Sequence, residues 1–288
     1  MSASHTCFVS SEWLFQNLDK VQVVDASWRF SPDGRHSSFY EEFLQERTPK
    51  SRYFDIEEAV TKDSRVPHLL PSPQQFASYV GTRLGISDKD TIVIYSRPHL
   101  VGAARVWWMF RVFGMPKDQC FILKGGLEEW KKHGYPLASG PIEEKESIHS
   151  KTFVPKFQSQ LVADRLQVKD SLKSGTAIIL DARSAGRFYG TEPEPRQGVP
   201  SGHIEKAMSL PFVQLLTKDG QELLPKEDLM KVFENHGIDI KTNQKIICMC
   251  GSGVTATVVH LALDQLNVFT SCVYDGSWMD WTMKGEKE

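Results

Sequence analysis

The feature that most constrains this chain is that it runs through one order of elements twice. VDASWRF at 24–30 returns as LDARSAGRF at 180–188. TIVIY at 91–95, with its following turn and helix, returns as KIICM at 245–249. KGGLEEW at 124–130 returns as YDGSWMDW at 274–281. The offsets agree: Asp25 to Asp181 is 156, Ser96 to Cys250 is 154, and Trp130 to Trp281 is 151. Such self-similarity marks a tandem duplication of one folding unit. Within each copy, short apolar runs alternate with segments of helical periodicity, which predicts an α/β fold of two tandem domains, each a mainly parallel sheet flanked by helices. A length of 288 residues gives each copy room for its own core. The stretch ASGPIEEKESIHSKT, 138–152, is polar, charged and aperiodic. It reads as a linker between domains at 1–137 and 153–288.

Along the first copy, 8–20 predicts a short strand and a helix capped by Ser10 or Ser11. Residues 21–30 predict a strand carrying Asp25 and 37–47 a helix. The Pro-rich 67–73 predicts a loop, and 74–84 an amphipathic helix capped by Ser72. A buried strand at 91–95 and a long apolar helix follow.

The two copies differ in chemistry at one turn. In the second, the apolar run Ile246–Met249 ends at Cys250, passes through Gly251-Ser252-Gly253, and enters a helix whose apolar residues are Val258, Val259, Ala262, Leu263 and Leu266. Strand, tight turn and helix place a thiol at the carboxyl edge of a parallel sheet, where such folds bind ligands. The backbone N–H groups of 251 to 255 would curl around the sulfur, and the helix N-terminus adds partial positive charge. Both favour thiolate, the nucleophilic form. Cys250 is the expected catalytic residue. Cys248, within the strand, reads as a small inert hydrophobe. A zinc site lacks a second Cys/His pair, and a phosphatase loop would need arginine where Ala256 stands. The first copy has Ser96 followed by Arg97-Pro98-His99, and a proline cannot contribute an N–H to such a cradle.

The remaining signals narrow the class. A net charge of −2 gives no basic footprint for nucleic acid, and no apolar run approaches the roughly 20 residues needed to cross a bilayer. Five scattered cysteines suggest a reducing compartment, and the opening residues lack a presequence pattern, so cytoplasm is the default location. A mitochondrial pool through an alternative start stays open. Asp25 and Asp181 are expected to organise loops by accepting backbone hydrogen bonds, the tryptophans to pack, and Arg105 to support structure.

Taken together, EWL, DASW, RVWWMF, GGLEEW, GRFYGTEPEPRQGVPSGHI, CGSGVTA and YDGSW resemble the rhodanese family over nearly the whole chain. The resemblance implies an inert first domain, a catalytic second one, and an active site between them. It implies a ping-pong sulfur transfer through a Cys250 persulfide, with no metal or organic cofactor. Thiosulfate-using relatives carry Arg and Lys after the cysteine; here Gly251 and Ser252 bring no side-chain cation. Positive charge would come from Arg187 and Arg196, nine residues apart, which by resemblance bind the carboxylate and keto oxygens of 3-mercaptopyruvate. Arginine suits this role as a planar bidentate donor. Gly251, Gly253, Val254 and Thr255 complete the implied binding loop. Ser252 and His68 match the family's proton relay, whose carboxylate position falls on Glu57, where Asp is usual; Asp63 does not align with the motif. The expected acceptor is a small thiol or a thioredoxin-like protein, leading to hydrogen sulfide, or cyanide, and the expected state is a monomer or weak homodimer. Two alternatives stay open, a thiosulfate:cyanide sulfurtransferase and a persulfide carrier for a biosynthetic partner. A cysteine-independent binding module is disfavoured by the retained Cys250 and arginines.

Overall fold

The computed structural model describes residues 6–29, 39–61, 65–142 and 148–283. The chain divides into two compact units. The described part of the first comprises 6–29, 39–61, 70–142 and 148–158; that of the second comprises 65–69 and 159–283.

The first unit is built on a five-stranded sheet. Its strands are β1 (Phe8–Val9), β2 (Gln22–Asp25), β3 (Ser51–Tyr53), β4 (Ile92–Tyr95) and β5 (Cys120–Leu123), in the order β1-β5-β4-β2-β3 and parallel throughout. Parallel strands need crossovers, and the helices supply them. α1 (Ser11–Asn17) is capped by Ser10, whose side chain accepts the Trp13 N–H. α2 (Tyr40–Gln45) falls inside the predicted helix at 37–47, whose first two residues lie outside the described ones. α4 (Val101–Val112) is buried along almost its whole length. α5 (Gly126–Lys132) closes the unit. One core cluster packs Leu14, Val21, Val23, Val93 and Trp130 together.

One prediction is corrected here. The helix expected at 74–84 is α-helical only over α3 (Pro73–Ser78), with the Ser72 cap and a reciprocal Gln75 bond. It then widens into a π-turn at Tyr79–Arg83. The reason is visible at Gly81: a Cβ there would lie 2.4 Å from the Lys151 carbonyl oxygen, and the Lys151 N–H donates to the Gly81 carbonyl at 2.9 Å. The backbone of 148–158 continues onto this unit, with Lys156 and Gln158 donating to Phe113 and Val112.

The second unit repeats the plan. β6 (Val162–Ala163), β7 (Ala177–Asp181), β8 (Met208–Ser209), β9 (Lys245–Met249) and β10 (Ser271–Tyr274) form the order β6-β10-β9-β7-β8, again parallel throughout. Its helices are α6 (Arg165–Ser174), α7 (Ala185–Tyr189), α8 (Lys226–Asn235), α9 (Ala256–Gln265) and α10 (Ser277–Met283). Ile179, Ile247, Met249, Tyr274 and Trp278 form its core cluster with Val168. The identical strand order in both units is the structural form of the sequence repeat. No helix among the described residues is long and apolar enough to cross a membrane.

Candidate active site

Because the second sheet is wholly parallel, the loops after β7, β9 and β10 leave from one edge. β9 ends at Met249, and Cys250 follows with 2% of its surface exposed. The Cys250 N–H donates to the Ser277 hydroxyl at 3.1 Å. Its carbonyl accepts the Trp278 N–H, and the Gly251 carbonyl accepts the Met279 N–H, both at 3.0 Å. Ser277 itself sits at φ +53° and donates to the Tyr274 carbonyl at 2.8 Å. The turn after β10 therefore fixes the backbone of Cys250.

The loop from 251 to 255 has an unusual hydrogen-bond inventory. Among the described residues, no hydrogen bond uses the N–H of Gly251, Ser252, Val254 or Thr255. Buried amides normally find acceptors. N–H groups left unmatched at the start of α9, beside a cysteine, make a concavity of the kind that suits an anion. Gly253 makes the turn possible. Its φ is +80°, and a Cβ there would lie 2.4 Å from the Asp275 carbonyl oxygen.

The corresponding turn of the first unit is tied to the chain's own side chains. The Ser96 hydroxyl donates to the His99 carbonyl at 2.6 Å and accepts the Ala103 N–H at 3.0 Å. Arg97 donates from its backbone to Ser27 and from its guanidinium to the Glu42 and Glu46 carbonyls, 3.7 Å from the Asp25 carboxylate. Burial pushes the Asp25 carboxyl up in spite of Ser27 and Arg97. The chain's own cation occupies this turn.

The loop after β7 brings the arginines. Ser184 caps α7, which carries Arg187 in its last turn. Arg187 donates from Nε and Nη2 to the two oxygens of Glu194, at 3.0 and 2.6 Å. Its guanidinium lies over Gly251, where a Cβ would stand 2.9 Å from Nη2. Glu194 also accepts from Arg183 at 2.7 Å. Arg183 is buried, pairs with both oxygens of Asp181, donates to the Gly202 carbonyl and stacks on Trp278 at 4.6 Å. Burial pushes the Glu194 carboxyl up, but Arg187 and Arg183 outweigh it and hold the group below its ordinary 4.5. Arg196 is half-buried in the same loop, its carbonyl accepting the Val199 N–H at 3.3 Å. Asp181 accepts the Arg183 backbone N–H and Asp25 that of Ser27, the loop-organising roles expected of them.

His68 packs with the second unit, 3% exposed and at φ +64°. Its Nδ1 lies 2.9 Å from the Ser252 hydroxyl. A side chain 184 positions earlier in sequence is thus joined to the Cys250 loop. Glu57 belongs to the first unit, where its carboxylate accepts the Trp28 indole N–H at 2.8 Å and its own N–H donates to Asp55. Asp63 lies outside the described residues. Arg105 is buried in α4 with its guanidinium over Trp108. None of the five cysteines is in a disulfide, and all five are buried. Burial pushes the Cys248 thiol up and that of Cys272 to about 11, as befits inert core residues.

Sequence reasoning did not find Arg183, Glu194 or Ser277. For Glu194 the prolines on both sides were a signal of a restricted backbone. Nothing in the sequence pointed to Ser277. A cavity of about 630 Å³ near Glu234 and Phe269 and one of about 310 Å³ near Tyr79 have walls that do not include Cys250. Among the described residues no group of three or more His, Cys, Asp or Glu could hold a metal ion.

Comparison with known proteins agrees with this arrangement. Residues 10–133 and 164–284 each match the rhodanese-like domain. The mitochondrial thiosulfate/3-mercaptopyruvate sulfurtransferase 1 of Arabidopsis thaliana is 38% identical over 95% of this chain and 75% of its own length. The 3-mercaptopyruvate sulfurtransferase of Homo sapiens is 34% identical over 100% of this chain and 96% of its own. The crystal structure of SseA from Escherichia coli, described as a 3-mercaptopyruvate sulfotransferase of rhodanese fold, superposes with a TM-score of 0.83. It is 33% identical over 95% of this chain and 99% of its own.

Proposed function

Since the chain belongs to the rhodanese family, we propose that Cys250 carries sulfur as a persulfide, taken from 3-mercaptopyruvate and passed to a thiol acceptor. The chain is a sulfurtransferase. The observation that carries the donor reading is the Cys250 loop, in which the amides of Gly251, Ser252, Val254 and Thr255 have no acceptor among the described residues, whose side chains bring no cation, and over which Arg187 lies.

The Cys250 thiolate attacks the donor sulfur, and the S–S bond forms as the C–S bond breaks. The electron pair leaves on carbon as the enolate of pyruvate, which is protonated to pyruvate. Arg187 and Arg196 take the carboxylate and keto oxygen and stabilise the enolate charge. Ser252 and His68 receive the donor's thiol proton and return it, and the 2.9 Å contact between them supports that role. The terminal sulfur rests among the amides of Gly251, Ser252, Gly253, Val254 and Thr255. A second thiolate, from a small thiol or a thioredoxin-like protein, then attacks it; with a dithiol acceptor the product is hydrogen sulfide. The proposed location is the cytoplasm.

The test is pyruvate and sulfide release from 3-mercaptopyruvate with a dithiol present, for the wild type and Cys250→Ser, beside thiosulfate with cyanide. Turnover that prefers 3-mercaptopyruvate and disappears in the variant supports the reading. A preference for thiosulfate would overturn the argument from loop charge. Activity surviving in Cys250→Ser would remove the persulfide.

A further inference from the structure

Arg187 has five N–H donors, and two of them are already taken. Nε and Nη2 form a fork onto Glu194, at 3.0 and 2.6 Å, while Nη1 makes no hydrogen bond among the described residues. The free edge of the guanidinium is therefore chosen by its partner. Glu194 is in turn fixed from behind. Arg183, with no exposed side-chain surface, donates to the same Oε1 at 2.7 Å and is held by Asp181 at the end of β7. The backbone adds a further constraint. Glu194 stands between Pro193 and Pro195, and a residue preceding proline is confined to extended conformations. Only 4% of its side-chain surface is exposed, against 23% for Arg187. The chain Asp181–Arg183–Glu194–Arg187 thus runs from a strand end to the guanidinium that overlies Gly251.

A purely structural counter-ion for Arg183 would present its bidentate face to Arg183. Here that face goes to the partly exposed arginine, while Arg183 receives its bidentate partner from Asp181. From this geometry we infer that Glu194 is a positioning residue, fixing the plane and distance at which Arg187 takes the donor carboxylate. The inference rests on the reading that Arg187 binds the donor. Without the Glu194 charge, two guanidinium groups would face each other with no anion between them. Arg183 is locked in the interior, so Arg187 would swing toward solvent and away from Gly251. Loss of orientation then outweighs the gain of an unpaired positive charge, and the Michaelis constant rises.

The experiment is a double-mutant cycle in the full-length protein, using 3-mercaptopyruvate and reading KM and kcat separately, with Glu194→Gln, Arg187→Gln and the double variant. Arg187→Gln should raise KM. Glu194→Gln should raise it about tenfold with kcat changed by less than about threefold, and should add nothing in the Arg187→Gln background. A merely structural role would persist in that background. An unchanged KM in Glu194→Gln, or an effect that persists in full without Arg187, overturns the inference while leaving Arg187 as the donor-binding residue. An unchanged KM in Arg187→Gln overturns the donor-binding reading itself, and Glu194 falls with it. Should Glu194→Gln fail to fold, Glu194→Asp keeps the charge beside Arg183 but withdraws the fork by one methylene. It should raise KM in the same direction, and a wild-type KM would again overturn the inference.

Discussion

Two glycines in one loop should fail in different ways when a methyl group is added. At Gly251 the new Cβ would lie 2.9 Å from Arg187 Nη2, about 0.5 Å inside ordinary contact, and the next neighbour is 4.0 Å away. The backbone of Gly251 is not left-handed, so alanine is conformationally acceptable there. It even narrows the unfolded ensemble, worth about 0.4–1 kcal/mol in favour of folding. What must move is the guanidinium, and its 2.6 Å bond to Glu194 cannot shorten. A hydrogen bond to a charged group contributes about 1.5–3 kcal/mol. Losing roughly half of that is about 1 kcal/mol, or about fivefold in KM. Gly251→Ala should therefore raise KM for 3-mercaptopyruvate about fivefold while the melting temperature stays within a few degrees. Gly253→Ala meets the Asp275 carbonyl at 2.4 Å in a left-handed residue, so backbone must move and both stability and turnover should drop. Steady-state pyruvate release and thermal melts of the two variants make the comparison. A wild-type KM in Gly251→Ala, or a melting loss equal to that of Gly253→Ala, would refute the reasoning.

Further outcomes follow from the buried charges and the relay. Arg183→Met leaves the Asp181 and Glu194 carboxylates without their shared cation and should cost about 3–5 kcal/mol in denaturant unfolding. The Glu194 carboxyl lies below its ordinary 4.5, so the stability it contributes is fully present above that value and is lost as pH falls through the depressed one. Unfolding free energy measured from pH 5 downward should carry this loss in the wild type and lack it in Glu194→Gln. His68→Gln should lower kcat about a hundredfold with Cys250 persulfide still detectable by mass spectrometry, as expected of a proton relay. Glu57→Gln should lower turnover several-fold if that carboxylate completes the relay; an unchanged rate would take it out of the mechanism.

Much of this was legible in the chain. The repeat at nearly constant offset announced two equal sheets, because buried parallel strands write themselves as apolar runs with fixed punctuation. The place of Cys250 at the end of β9 was legible for the same reason, since a cysteine between a strand and a Gly-containing turn has one place to go. The buried Arg183–Glu194 pairing was not. Charge in sequence defaults to the surface, and only the fold shows that the end of β7 brings Arg183 beneath Trp278. The π-turn at Tyr79–Arg83 was hidden because Gly81 reads as a tolerated helix residue until the Lys151 carbonyl is seen against it. Ser277 was hidden because a left-handed serine has no signature in composition.

The contrast between the two turns has a thermodynamic side. In the first unit the Ser96 turn has hydrogen-bond partners from within the chain, including the Arg97 side chain. In the second, four amides around Cys250 wait without acceptors, and each unmatched buried donor costs about 1–3 kcal/mol. On the proposed persulfide reading, a sulfur anion seated there gives them an acceptor, and the cargo would stabilise its carrier. The unloaded protein would then be the weaker of two folded states, and sulfur handed on would be stability handed on with it. In a cell short of donor, the empty form would be the one first lost to proteolysis.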